Sequence, residues 1–299
     1  MYIDTHTHLN LKAFEDDWRE VADRAKKAEV NKMLVVGTNL ESSQKAIEIA
    51  EDIEGLFAVV GFHPHHCKGI AETQIDKIMK GLEKLAKHKK VVAIGECGLD
   101  YHVYQKTKYT KVKITEDQKK LQKQVFGKQI QLAKELNLPM VIHNREAQKD
   151  ILDVMDHFCL PAQAGKNDGK YPKGVFHCIS GSIKFLKQLL ERGFYIGVDG
   201  NVTYSSEVEA LVKETPLDRL LLETDSPWLI PRFSGSSTNS NPKRSGLKAS
   251  LQERTLIDRW RNTPSNVKIV AEFVAKLKNT SINQIAKKTT INAERLFNI

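Results

Sequence analysis

The chain is poor in cysteine and aromatics, and it has no long apolar stretch. Its four cysteines (Cys67, Cys97, Cys159 and Cys178) form no CxxC pair, which excludes a disulfide-built scaffold and a thiolate zinc ribbon. No apolar run approaches the ~20 residues of a membrane span. The N-terminus, MYIDTHTHLN, lacks the charged leader and apolar segment of an export signal. The expectation is a cytoplasmic protein with reduced thiols and no membrane partner. No internal repeat and no compositional break is present, so one domain spanning 1–299 is the economical organisation. A strong excess of one charge sign is also missing: 46 Lys and Arg stand against 37 Asp and Glu, a net +9. With 40% hydrophobic residues, that balance excludes disorder and favours an anionic partner without naming one.

What is present is rhythm. Eight short runs rich in Val, Ile and Leu recur between stretches of helical spacing: Tyr2 to Asp4, Met33 to Val36, Phe57 to Gly61, Val91 to Gly95, Met140 to Ile142, Val175 to Phe176, Tyr195 to Val198 and Leu220 to Leu222. Strands alternating with helices imply parallel pairing. The pattern predicts an α/β fold, a single (β/α)8 TIM barrel, with a doubly wound open sheet as the competitor. Helix starts are written in the sequence as well. Thr115-Glu-Asp-Gln118 is a capping box ahead of an apolar stripe through Leu121, Val125, Phe126, Ile130, Ala133 and Leu136. Thr263 before Pro264 reads as an N-cap, and Ser281 with Gln284 as another. Two polar stretches interrupt the rhythm, Lys- and Tyr-rich near 101–115 and Ser/Asn-rich at 234–250; both read as loop insertions.

The residues that follow the runs carry the chemistry. They are His6-Thr7-His8, His63-Pro64-His65-His66, Glu96, His143, His177 and Glu223-Thr224-Asp225. In a barrel the C-terminal strand ends share one rim, so residues far apart in sequence converge there. Side chains alternate along a strand, which puts His6 with His8 and Glu223 with Asp225 on common faces. Four histidines and two or three carboxylates suffice for two divalent cations sharing a bridging carboxylate, and mixed imidazole and carboxylate ligands suit zinc or manganese better than magnesium. Cys97 and Cys178 adjoin these positions, but alternation turns them away, so both are expected to pack.

Several longer motifs point the same way: IDTHTHLN at 3–10, GFHPH at 61–65, IGECGLDY at 94–101, IHNREA at 142–147, FHCISGS at 176–182, LLLETDSP at 220–227 and TTINAERLF at 289–297. Together they make the chain similar to the TatD-type metal-dependent deoxyribonucleases, over nearly its whole length. That resemblance implies a nuclease with two divalent ions (Zn, Mn or Mg). It implies His6 and His8 as ligands of the first metal, Glu96 as the bridge, and His143 and His177 as ligands of the second. Asp225 becomes a ligand that also handles the proton of the attacking water. His63 is implied beside the scissile phosphate and Glu223 in support of the metal site. His65 and Arg145 are candidate phosphate contacts, the alternative for Arg145 being a salt bridge to Glu146 or Asp150.

The activity expected from the resemblance is 3′ to 5′ exonucleolytic cleavage of DNA, with single-stranded or frayed ends preferred. The alternative is D-aminoacyl-tRNA deacylation, or another ester or amide hydrolysis, on the same scaffold. Binuclear amidohydrolases commonly bridge their metals with a carboxylated Lys on the fourth strand; here Glu96 takes that place, and Lys90 lies only at the strand's entrance. A catalytically silent binder would be expected to lose one of the six ligands. The segment YIGVDGNVTY departs from the family pattern and leaves Asp199 without a role. The two basic windows, 101–135 with nine Lys and three acids and 232–261 with seven Lys or Arg and two acids, read as a groove for DNA through Lys106, Lys108, Lys111 and Lys113.

Overall fold

The computed structural model describes residues 1–104, 114–159, 171–232 and 261–299. Eight strands form one parallel sheet in sequential order: β1 (Tyr2–Thr7), β2 (Val30–Val36), β3 (Leu56–Val60), β4 (Val91–Asp100), β5 (Met140–Arg145), β6 (Gly174–Phe176), β7 (Tyr195–Val198) and β8 (Leu220–Leu222). A parallel bridge between Thr7 and Ser226 joins the last strand's extension to the first, which makes the sheet a (β/α)8 barrel and removes the open-sheet alternative. All eight apolar runs became strands. The first, fourth and fifth continue past their apolar runs, so His6, Glu96 and His143 lie within strands rather than after them. The reason is the barrel itself: at the C-terminal rim the interior is polar, and a strand there needs hydrogen-bonding neighbours, not apolar side chains.

Around the barrel run α1 (Trp18–Lys27), α2 (Leu40–Asp52), α3 (Ile75–Ala86), α4 (Glu116–Glu135), α5 (Gln148–Cys159), α6 (Ile183–Glu191), α7 (Ser206–Glu214), α8 (Val267–Leu277) and α9 (Ile282–Phe297). The Thr115 capping box forms in full: its hydroxyl accepts from Gln118 N, and Gln118 Oε1 accepts from Thr115 N, both at 3.2 Å. Ser281 caps α9 through Gln284 N. Thr263 does not cap with its side chain, because a 3-10 turn over Pro264–Asn266 intervenes before α8 begins. Inside the barrel, Ile3, Leu34, Val59, Val141, Val175 and Leu221 form a core that Leu296 and Phe297 of α9 close from below. Asn292 of α9 donates to Leu217 O and Leu220 O, which ties the helix to the start of β8.

Two buried glutamines of α4 break its apolar stripe for a reason. Gln129 accepts from Phe62 N (2.8 Å) and donates to Phe62 O (3.0 Å). Gln122 does the same for Asp100 N and O, at 2.9 and 3.1 Å. Each amide satisfies one backbone donor and one acceptor where a strand leaves the ladder, and so fixes the rim beside His63 and at the end of β4.

Candidate metal centre and cleft

The six ligand candidates converge at the rim. His6 Nε2 and His8 Nε2 lie 3.0 Å apart. Both face Asp225 Oδ1, at 3.7 and 3.4 Å, and Glu96 Oε2, at 3.6 and 3.7 Å. The other oxygen of Glu96, Oε1, faces His177 Nε2 at 2.8 Å, His143 Nδ1 at 3.0 Å and His63 Nε2 at 3.3 Å. One carboxylate thus divides its oxygens between two groups of donors. The chain beside Glu96 is closely packed: a Cβ on Gly61, just past the end of β3, would come within 2.3 Å of the Gly95 backbone, so this approach needs a glycine.

The seam between β1 and β8 holds the first group. Asp225 N donates to His6 O and His8 N to Ser226 O, both at 2.9 Å. Beneath them, buried Asp4 accepts from Thr224 N at 3.0 Å and from the Thr224 hydroxyl at 2.6 Å. His8 Nδ1 stands 2.9 Å from Val36 O, an acceptor only, so Nδ1 carries the proton and Nε2 presents a lone pair to the centre. Asp225 has φ +51, a left-handed conformation that breaks strand alternation. As a result it turns toward His6 and His8, while Glu223 points elsewhere. Glu223 is fully buried, accepts from Cys178 N at 2.6 Å and stands 3.7 Å behind His177 Nδ1.

The electrostatics follow from burial and neighbours. Burial pushes the Glu96 carboxyl up, but His63 and His177, with hydrogen bonds from His143 and His177, hold it well below its ordinary range. Asp225 behaves likewise: burial is outweighed by His8, His6 and His177. Burial pushes His63 down to about 3. Its Nδ1 accepts from His65 N at 3.1 Å, so the ring is neutral with its proton on Nε2. His63 is therefore a hydrogen-bond donor to the centre rather than a lone-pair ligand, although its position alone would allow either.

The donor set fits divalent cations. The His8 Nε2 lone pair lies 3.0 Å from His6 Nε2, and both nitrogens face oxygens of Glu96 and Asp225, a mixed imidazole and carboxylate set that suits zinc or manganese. Three groupings of atoms within 4.8 Å of one another emerge: His6 with His177 and Asp225, His6 with His8 and Glu96, and His63 with Glu96 and His143.

A cleft of about 1450 Å³ opens above the centre, lined by His8, His63, His65, Glu96, Arg145 and Trp228 among others. Arg145 is exposed; its guanidinium stands 5.0 Å from the Tyr104 ring centroid and donates to the Tyr104 hydroxyl at 3.3 Å. Neither anticipated salt bridge forms among the described residues, since Glu146 pairs with His102 (2.5 Å) and Asp150 with Lys123 (2.6 Å). His65 Nε2 stands 2.8 Å from Asp100 Oδ2. Asp199 is fully buried and caps a 3-10 turn by accepting from Asn201 N; burial and the charges of Glu223 and Asp225 push it to about 8.

Of the two cysteines beside the centre, one packs as expected and one does not. Cys97 packs as anticipated, with Sγ 3.6 Å from Val141 O. Cys178 instead lines the cleft and accepts from Asn201 Nδ2, because its φ of +47 ends the alternation that would have buried it. Sequence reasoning also missed Asp100, buried at the end of β4. Glu96, Gly98 and Asp100 are alternate residues of one strand, a signal readable had β4 been extended past its apolar run. Lys106, Lys108, Lys111 and Lys113, and the stretch 234–250, lie outside the described residues.

A family model described as TatD related DNase matches residues 3–298. The chain belongs to the TatD-related DNase family. A Bacillus subtilis protein named as the uncharacterized metal-dependent hydrolase YabD is 37% identical, with both chains covered in full. The 3′-5′ ssDNA/RNA exonuclease TatD of Cronobacter sakazakii is 32% identical over 98% of this chain and 97% of its own. Among solved structures, the TatD homolog YJJV of Escherichia coli superposes with a TM-score of 0.76 at 26% identity, over 100% of this chain and 98% of that one. This TatD-family protein is thus an enzyme, a metal-dependent hydrolase. No helix among its described residues is long and apolar enough to cross a membrane.

Proposed function

We propose that this protein is a two-metal nuclease that removes nucleotides from the 3′ end of single-stranded or frayed DNA. The observation that carries the reading is the division of Glu96 between two donor groups on the floor of one open cleft. The first ion would be held by His6, His8 and Asp225, the second by His143 and His177, with Glu96 shared. Divalent ions there supply positive charge to the phosphoryl oxygens and lower the pKa of water near neutral pH.

The chain's own groups do the rest. The Asp225 carboxylate orients the attacking water and accepts its proton. His63 Nε2–H donates to a phosphoryl oxygen as negative charge builds on it. Arg145, with no carboxylate partner among the described residues, offers its remaining N–H groups to a phosphate at the mouth. His65 lies beside the same wall. A strand end enters a barrel mouth more readily than a duplex, which supports the preference for single strands. The free state of all four thiols fits a cytoplasmic setting.

The test is an end-labelled oligonucleotide incubated with protein and Mg2+ or Mn2+, in single-stranded, duplex and RNA forms, beside Glu96→Ala and Asp225→Ala. Shortening from the 3′ end, abolished by EDTA and by both substitutions, is expected. Equal cleavage by all three proteins would mean that the site is wrongly assigned. Inert DNA together with release of a D-amino acid from charged tRNA would favour the deacylase.

A further inference from the structure

Asp100 sits at the last position of β4 with 3% of its surface exposed, and it meets three cleft side chains through one oxygen. Oδ2 accepts from the Tyr104 hydroxyl at 2.7 Å, lies 2.8 Å from His65 Nε2 and 3.1 Å from His143 Nε2. Oδ1 accepts from His102 N at 2.9 Å. Its backbone is clamped on both sides by Gln122 of α4. A carboxylate held this firmly cannot follow its partners; they must follow it.

His143 has two ring nitrogens with different neighbours. Nδ1 faces Glu96 Oε1 at 3.0 Å and His177 Nε2 at 3.2 Å, while Nε2 faces Asp100. Both carboxylates accept and neither donates, but Glu96 is the one shared between the ions in the two-ion reading, so Asp100 is the acceptor that keeps a proton on Nε2 and leaves the Nδ1 lone pair for the centre. Tyr104 carries the same influence outward, because Arg145 donates to its hydroxyl.

We propose that Asp100 is a positioning residue: it sets the tautomer and orientation of His143 as an Nδ1 ligand of the second ion, and through Tyr104 it places Arg145 at the cleft mouth. This rests on the two-ion reading above. The prediction is asymmetric. Carboxylates behind a ligating imidazole are worth about 10- to 100-fold in metal affinity, so Asp100→Asn should weaken one of two ions by that factor. The ion held by His6, His8 and Asp225 should keep its affinity.

The experiment is calorimetric titration of metal-stripped protein with Mn2+ and with Zn2+, comparing wild type, Asp100→Asn and Tyr104→Phe, with circular dichroism to confirm folding. Two binding events in wild type, one of them weakened at least 10-fold in Asp100→Asn and both intact in Tyr104→Phe, are expected. Uptake of a single ion by wild type would overturn the two-ion reading. Two unchanged ions in folded Asp100→Asn would overturn the role of Asp100 alone. Should that variant not fold, ring nitrogen NMR of zinc-loaded wild type decides: a proton on Nε2 of His143 supports the proposal, and a proton on Nδ1 overturns it.

Discussion

The two donor groups of the centre are built by different means. His6, His8 and Asp225 sit on the closing seam and are held mainly by backbone: Val36 O fixes the His8 ring, and the β1–β8 ladder fixes Asp225. His143 and His177 are backed by side-chain carboxylates, Asp100 and Glu223. A backbone carbonyl cannot be mutated away, whereas a carboxylate can be exchanged, moved or lost. The seam half should therefore be the robust half of the site and the other half the tunable one. Glu96 belongs to both.

Substitution at Glu96 tests that comparison hardest. Glu96→Ala should abolish cleavage and lower the affinity of both ions; retention of either ion at wild-type affinity would show that the two groups are independent. Asp225→Asn should cost about 10²- to 10⁴-fold in kcat through the lost base, measured on a single-stranded oligonucleotide under saturating metal. Glu223→Gln should act on the carboxylate-backed half alone, weakening one ion about 10-fold and leaving the seam ion unchanged, as read by metal titration.

Thr224→Val probes the seam itself. It leaves Asp4 buried without its 2.6 Å hydroxyl partner and should cost about 1–3 kcal/mol of stability in denaturant unfolding. An unchanged midpoint would show that the seam does not depend on this carboxylate.

The smallest effect belongs outside the site, at Asp156. Burial raises its pKa, but hydrogen bonds from Arg192 and Tyr171 outweigh burial and lower it. The sign follows: stability from this group is present above the ordinary aspartate value and is lost as pH falls through the lower folded value. With Asp156 35% exposed, Asp156→Asn should cost under about 1 kcal/mol at pH 7, and the difference from wild type should vanish in acid.

Much of this was legible in the chain. The eight runs marked the strands because a barrel interior selects Val, Ile and Leu, and the histidines and acids just beyond them marked the rim. What escaped was whatever depends on where a strand stops or turns. Asp100 hid beyond the apolar part of β4, and Cys178 and Asp225 sit in left-handed conformations that periodicity does not forecast. Gln122 and Gln129 carry no signal in the sequence, since only the folded rim supplies the backbone groups they satisfy. The neutral, Nε2-protonated state of His63 needed the backbone amide of His65, a contact set by the turn between them.

The seam has a consequence for how the enzyme comes into being. Thr7 and Ser226 are 219 residues apart in the chain, and the donor group of His6, His8 and Asp225 lies on either side of that join. Most of the chain must therefore be synthesised and the barrel closed before that group is assembled. Loop-closure entropy makes such a join a late event in folding, and an ion that binds only the joined state favours it by mass action. Cation concentration would then act as a switch on the ring closure itself, so that a half-made chain carries the ligands of a nuclease without being able to assemble one.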